Sequence, residues 1–223
     1  MHKYMTCTRH GTSVSKSYFT ALLLDVSRSM ERGDWQPSRL HGAVEAVGKL
    51  MEARACQHPQ DHVGVFAFSD VVRIISPLKA VTDGAGRQFG LNAGRITTGP
   101  STNITAGLLL AGGALLGSRT SEEGEDSERD GEDDAGSERV DQIILLTDGE
   151  HNDGPDPVAC ARRLKGAGVL IDVIGIGTPS ELNETSLREM SSPRANGSPS
   201  YCFIGDKHGL IVKMRQMAEH SGC

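Results

Sequence analysis

Aromatic residues make up only 4% of this 223-residue sequence, so any core has to be assembled from Leu, Val, Ile and Ala. Long apolar runs are missing as well. No stretch approaches the roughly 18 residues needed to cross a bilayer, and the first apolar run, from Phe19 to Leu24, ends directly in Asp25. The N-terminus lacks the charged, apolar and small-residue order of a secretory signal. These absences lead to the expectation of a soluble, cytoplasmic protein with no membrane partner. Cysteine is sparse: Cys7, Cys56, Cys160, Cys202 and Cys223 are far apart, odd in number and free of any CxxC pair. That argues against a zinc site and gives no sign of a disulfide framework. No basic stripe is present, which argues against a nucleic-acid partner. A GxSxG elbow, an HExxH helix and a complete dinucleotide fingerprint are also missing, since Gly84-Ala85-Gly86 has neither the preceding strand nor the third glycine.

The formal charge of −6 is concentrated in one segment. Residues 118–139 hold ten acidic and three basic side chains, leaving 19 acidic and 20 basic elsewhere. This stretch of Glu, Asp, Ser and Gly has too little apolar area to offset its ordering entropy, so it is expected to be a disordered insert. Residues 1–17 are polar and aperiodic and are expected to form a flexible tail. The domain proper is expected over 18–223.

Short apolar runs alternate with helical patterns across that domain. FTALLLDV (19–26), VGVFAF (63–68), VDQIILLT (140–147) and VLIDVIGI (169–176) have the length and near-continuous apolarity of strands covered on both faces. VVRII (71–75) follows VGVFAF after only Ser69–Asp70, which predicts a hairpin and one antiparallel edge strand. Helices are predicted over 37–55, 84–93, 102–116, 157–166, 181–190 and 206–219, with a short strand at 201–204. The alternation implies an α/β fold with a central, mostly parallel sheet and helices on both faces. In such folds the ligand site lies beyond the carboxyl ends of the strands.

Three polar clusters fall there. Asp25-Val26-Ser27-Arg28-Ser29 follows the first strand, and its three oxygen-bearing side chains alternate, so in extended backbone they share a face. Gly99-Pro100-Ser101-Thr102-Asn103-Ile104 opens a helix. Thr147-Asp148-Gly149 closes the strand IILL. Two carboxylates and three hydroxyls form a hard oxygen donor set that suits Mg²⁺ or Mn²⁺ rather than zinc or copper. Glu150-His151-Asn152-Asp153-Gly154, beside them, is expected to be a solvated rim. Trp35 and Arg32 either rim the metal face or, for Trp35, pack over the first helix.

DVSRS, GPSTNI and LLTDGE, in that order, resemble the metal-ion-dependent adhesion site (MIDAS) of von Willebrand factor A (vWA) domains, whose DxSxS…T…D pattern is matched in full. The resemblance covers roughly residues 18–219 and implies a three-layer, Rossmann-like vWA fold. It implies direct coordination of Mg²⁺ (or Mn²⁺) by Ser27 and Ser29, by Thr102 when a partner is bound, and mainly water-mediated coordination by Asp25 and Asp148. It further implies that a Glu or Asp of a partner protein completes the shell. An adaptor role follows, in an intracellular assembly with a MoxR-type AAA+ ATPase or a kinase–phosphatase set. Two departures are present: Pro100-Ser101 stand where many members have glycines, and the acidic insert is long.

Two other functions fit parts of the pattern. A Mg²⁺-dependent phosphatase or hydrolase would also place an Asp after the first strand, but it needs a second acid two positions on as general acid/base, where this chain has Ser27. A scaffold with a vestigial metal site would not need the intact ligand set. The expectation is therefore a binding module and not an enzyme.

Overall fold

The computed structural model describes residues 16–122 and 137–219. Six strands, β1 (Lys16–Asp25), β2 (His62–Phe68), β3 (Val72–Ala80), β4 (Glu138–Thr147), β5 (Leu170–Ile176) and β6 (Tyr201–Ile204), form one sheet in the order β3-β2-β1-β4-β5-β6. Only the β2–β3 pair is antiparallel. Helices α1 (Arg39–Gln57), α2 (Ala85–Ala93), α3 (Ile104–Glu122), α4 (Pro157–Gly166), α5 (Glu184–Met190) and α6 (Lys207–Glu219) cover both faces.

The continuous apolar runs exist because each strand feeds two cores. Leu22, Leu24, Val65, Ile144, Leu146 and Ile174 pack with α1, α2 and α6 through Val47, Leu50, Phe89, Leu210 and Met214. The intervening residues Ala21, Leu23, Phe66, Ile143, Leu145 and Val173 pack with α3, α4 and α5 through Leu108, Leu115, Leu164 and Leu187. The period-2 alternation of a strand places neighbours on opposite faces, and both faces are dry. Helix α3 comes unusually close to the sheet: a Cβ on Gly107 would stand 3.0 Å from Leu23 and Phe68 side-chain atoms.

Element ends differ from expectation where capping sets them. Helix α1 starts at Arg39 rather than at Pro37, because the Ser38 hydroxyl accepts the His41 amide at 3.2 Å and caps the first turn. The predicted helix over 181–190 divides into a 3₁₀ turn, Pro179–Glu181, and α5, with Asn183 capping α5. Lys16 and Ser17 belong to β1, in register with Glu138 and Arg139, while the rest of the expected tail lies outside the described residues. Likewise α3 continues to Glu122 and β4 begins at Glu138, so the expected insert overlaps both elements, and residues 123–136 lie outside the described residues. No helix among the described residues is long and apolar enough to cross a membrane. Trp35 is buried: it packs against Gly42 of α1 and donates its indole N–H to the Gly205 carbonyl at 3.1 Å.

Candidate metal-binding site

Parallel pairing of β1 with β2 and β4 brings their carboxyl ends to one edge of the sheet. Asp25, the last residue of β1, is fully buried there. One carboxylate oxygen accepts the Ser27 amide at 2.8 Å, and the other accepts the Thr147 hydroxyl at 2.6 Å. The chain then turns through a 3₁₀ segment, Arg28–Glu31. The Ser27 and Ser29 hydroxyls lie 3.0 Å apart, and the Ser29 hydroxyl donates to Asp148 Oδ1 at 2.6 Å. Asp25, Ser27, Ser29 and Asp148 thus form one hydrogen-bonded chain linking the ends of β1 and β4.

Thr102 reaches the cluster on a separate loop. Gly99 pairs with Ser27 in a parallel bridge, and the Asn103 amide donates to the Ser69 carbonyl at 3.0 Å, tying this loop to the ends of β1 and β2. The loop after β4 holds it from the other side. Asn152 accepts the Thr102 amide at 2.8 Å through its side chain and returns its own amide to the Thr102 carbonyl at 3.1 Å. His151 Nδ1 accepts the Ile104 amide at 3.2 Å. The loop 150–154 is largely exposed, as expected of a solvated loop, and two of its residues, His151 and Asn152, in addition clamp the Thr102 loop in place. Asn103 caps α3 by accepting the Ala106 amide at 2.9 Å. The Thr102 hydroxyl makes no hydrogen bond to the described residues, although the residue is buried. A Cβ on Gly149 would lie 3.8 Å from both Ser29 Oγ and Thr102 Oγ1. The absence of a side chain there leaves open the space between the serine loop and the threonine loop.

The electrostatics follow from burial. Desolvation, reinforced by the neighbouring Asp148 carboxylate, pushes the Asp25 carboxyl up to about 6, against the hydrogen bonds from Thr147 and Ser27. Two carboxylates held close together in a dry site repel each other, and a cation between them relieves both costs. The described residues contain no cluster of three or more His, Cys, Asp or Glu side chains that could hold a metal. Any ion at this edge would therefore be held mostly by hydroxyls, a donor set that fits a hard divalent cation and leaves much of its charge unneutralised.

Arg39, in the first turn of α1, was not singled out by the sequence, yet it is the main counter-charge of the site. Its side chain is 1% exposed. Nη1 donates to Asp148 Oδ2 and to Glu181 Oε2, each at 2.9 Å, and Nε and Nη2 fork onto Asp34. The hydrogen bond from Arg39 holds the Asp34 carboxyl below the usual carboxylate range. Arg32 also pairs with Glu181. Gly177 has φ +97°, and a Cβ there would collide with the guanidinium at 2.5 Å, so a glycine is required where β5 ends. One sequence signal could have flagged Arg39: a cation in the first turn of a helix opposes the macrodipole, so it calls for a specific anionic partner. Thr147 was placed in the third polar cluster but its anchoring of Asp25 was not read, and neither was the Asn152–His151 clamp. Thr147 is the one polar residue in the apolar run IILLT, and that was its signal.

The profile of the von Willebrand factor type A domain matches residues 21–210. Among solved structures, proximal thread matrix protein 1 from the mussel byssus superposes with a TM-score of 0.67 at 21% identity, over 92% of this chain and 47% of that one. This chain thus spans about half the length of the mussel protein. A second structure of that protein has a zinc-occupied MIDAS motif. The conserved hypothetical protein BatB from Bacteroides thetaiotaomicron gives 0.63 at 20% identity, over 91% of this chain and 99% of that one. The SpRpn10 VWA domain gives 0.64 at 19% identity, over 89% and 93%. At such identities the likeness is one of fold. No curated protein matches in sequence.

Proposed function

Because this chain belongs to the von Willebrand factor type A domain family, whose members are generally protein-interaction modules, we propose that it is a metal-dependent protein-binding module. In this reading Asp25, Ser27, Ser29, Thr102 and Asp148 hold Mg²⁺ or Mn²⁺, and a Glu or Asp of a partner protein completes the shell. The observation that carries it is the chain Asp25–Ser27–Ser29–Asp148 facing a third hydroxyl, Thr102, that is pinned through its backbone and makes no hydrogen bond at its oxygen among the described residues.

The bound ion would supply a positive charge only partly neutralised by its protein donors, and so a seat for an anionic oxygen. The chain's own residues do the rest. Thr147 and the Ser27 amide orient Asp25. Arg39 fixes Asp148 and offsets its charge. Asn152 holds Thr102 at the rim. Beside the cluster, a pocket of about 300 Å³, lined in part by Gly149, His151, Asn183 and Leu187, offers a place for the partner residue next to the captured carboxylate. Two positions after Asp25, where a Mg²⁺-dependent phosphatase with its Asp after the first strand needs a second acid, stands Ser27, which favours binding over catalysis. An adaptor role in an AAA+ ATPase or kinase–phosphatase assembly, inside the cytoplasm, extends the same proposal.

The test has two stages. Titration with Mg²⁺ and Mn²⁺ should give one saturating site by calorimetry, lost in Ser27→Ala/Ser29→Ala. Affinity capture from the native host should then retain a partner with wild type in Mg²⁺, but not in EDTA and not with Thr102→Ala. Absence of metal binding would reject the metal site. A partner retained under all conditions would move binding to another surface.

A further inference from the structure

A second polar pocket lies at the opposite end of the sheet, near the start of β1, β4 and β5. Gln142 of β4 lines it, five residues before Thr147. At about 3.3 Å per residue, that separates it from the candidate metal site by roughly 16 Å. The pocket measures about 120 Å³, and Asp172, Arg194, Ser200, Lys213 and Met217 also line it.

Two cations, Arg194 and Lys213, share the wall with one carboxylate, Asp172, that pairs with neither of them. Neither Arg194 nor Lys213 forms an ion pair with the described residues, and Arg194 Nε is buried with no hydrogen-bond partner. The acid in the wall does not satisfy them. Asp172 is already engaged, one oxygen by the Ser200 hydroxyl and the other by Gln142 Nε2 at 2.6 Å. Both cations also act on the Cys202 thiol: burial pushes it up, while Lys213 and Arg194 pull it down. A buried donor on a charged group is costly when left without an acceptor.

The loop that presents Arg194 is preorganised. Ser192 extends the sheet beside β5, its amide donating to the Ile171 carbonyl at 2.7 Å and its hydroxyl accepting the Ile171 amide at 2.9 Å. The Ser200 amide returns to the Ser192 carbonyl at 2.7 Å, and Pro193 pairs with Pro199. Within the turn, the Arg194 amide donates to the Ser198 carbonyl at 2.8 Å. Lys213 approaches from α6, so the two positive groups are held by separate rigid elements.

We propose that this pocket binds a small oxyanion, a carboxylate or phosphate group seated between Arg194 and Lys213. The planar guanidinium offers paired donors to two oxygens of such a group, and the ammonium supplies a point charge. Leu170 and Met217 in the wall suit a short apolar body behind the head. The volume is well below that of pockets for drug-sized ligands, so the ligand is a few heavy atoms or the end of a larger chain.

The experiment is a titration of the full chain in EDTA with inorganic phosphate, acetate or propionate, against sodium chloride as control, read by amide chemical shifts. Saturable shifts at Ser192, Gly197 and Ser200 are expected for at least one oxyanion and not for chloride. The phosphate and carboxylate arms identify which head is preferred. Arg194→Gln/Lys213→Gln should weaken binding at least tenfold, and Thr102→Ala should leave it unchanged. If the double variant fails to fold, Lys213→Gln alone, on the half-buried face of α6, should still weaken binding severalfold. Shifts that do not saturate, that chloride reproduces, or that persist at wild-type affinity in the folded variant would overturn the proposal.

Discussion

Asp25 concentrates the chemistry of the site in one carboxyl group. Its folded value of about 6 stands above the ordinary carboxylate value near 4 of an unfolded chain. For an acid raised in this way the sign is fixed. Its contribution to stability is fully present below the unfolded value and is lost as pH rises through about 6. In EDTA, wild type should therefore lose stability relative to Asp25→Asn between pH 4 and 7, by up to about 3 kcal/mol for a shift of roughly two units. Urea unfolding across that range measures it. Mg²⁺ should recover most of the difference at pH 7 and little of it at pH 4. A flat difference would show that Asp25 ionises without cost. Arg39 poses the complementary case. Arg39→Met should cost about 3–5 kcal/mol in EDTA, because it strips a buried carboxylate, Asp148, of its partner. Saturating Mg²⁺ should reduce that cost, and equal losses with and without metal would show that Asp34 and Glu181, not Asp148, are what Arg39 chiefly serves.

At the scale of elements, α3 is where sequence composition and packing meet. Its glycines are not equivalent. Gly107 faces Leu23 and Phe68 at a distance that a Cβ can barely occupy, whereas a Cβ on Gly113 would meet nothing within 4 Å. Gly107→Val should destabilise by about 1–3 kcal/mol through overpacking. Gly113→Ala should stabilise by about 0.5–1 kcal/mol, since only helix propensity changes. Thermal and urea melts of the two variants separate these effects. Because α3 starts directly after Thr102 and Asn103, a displaced α3 should also weaken metal binding in Gly107→Val, while Gly113→Ala should leave it intact.

For the molecule as a whole, charge and fold are separable. Residues 123–136 carry eight acidic and one basic side chain, more than the whole formal charge of −6. Replacing them by a neutral Ser/Gly/Asn segment of equal length should raise the isoelectric point from about 5.7 to above neutrality. It should change unfolding free energy by less than about 0.5 kcal/mol, since a segment of Glu, Asp, Ser and Gly offers almost no apolar side chain to bury. Isoelectric focusing and urea melts test both. A large loss of stability would mean that the segment packs on the domain. The two candidate sites lie at opposite ends of one rigid sheet, so their variants should act additively on stability.

Much of this architecture was legible in the chain itself. Strands buried on both faces must be apolar throughout, and the runs at 19–26, 63–68, 140–147 and 169–176 show it. The two-residue gap at Ser69–Asp70 showed where the sheet turns antiparallel. The five candidate ligands were legible as well, because each stands at the end of an apolar run or the start of a helix, where an α/β fold exposes its strand termini. What stayed hidden depends on partners far apart in sequence. Arg39 reads as one more charge in a surface helix until Asp148, 109 residues away, is seen to accept from it. Asn152 and His151 read as a solvated turn until the Thr102 loop folds against them. Arg194 and Lys213 carry no motif at all. Local periodicity and turn chemistry depend on neighbours along the chain, so the sequence by itself determined the strands, the helices and the order of the polar clusters. Buried charge can only be placed once every anion and cation around it is known, and only the tertiary structure decided that.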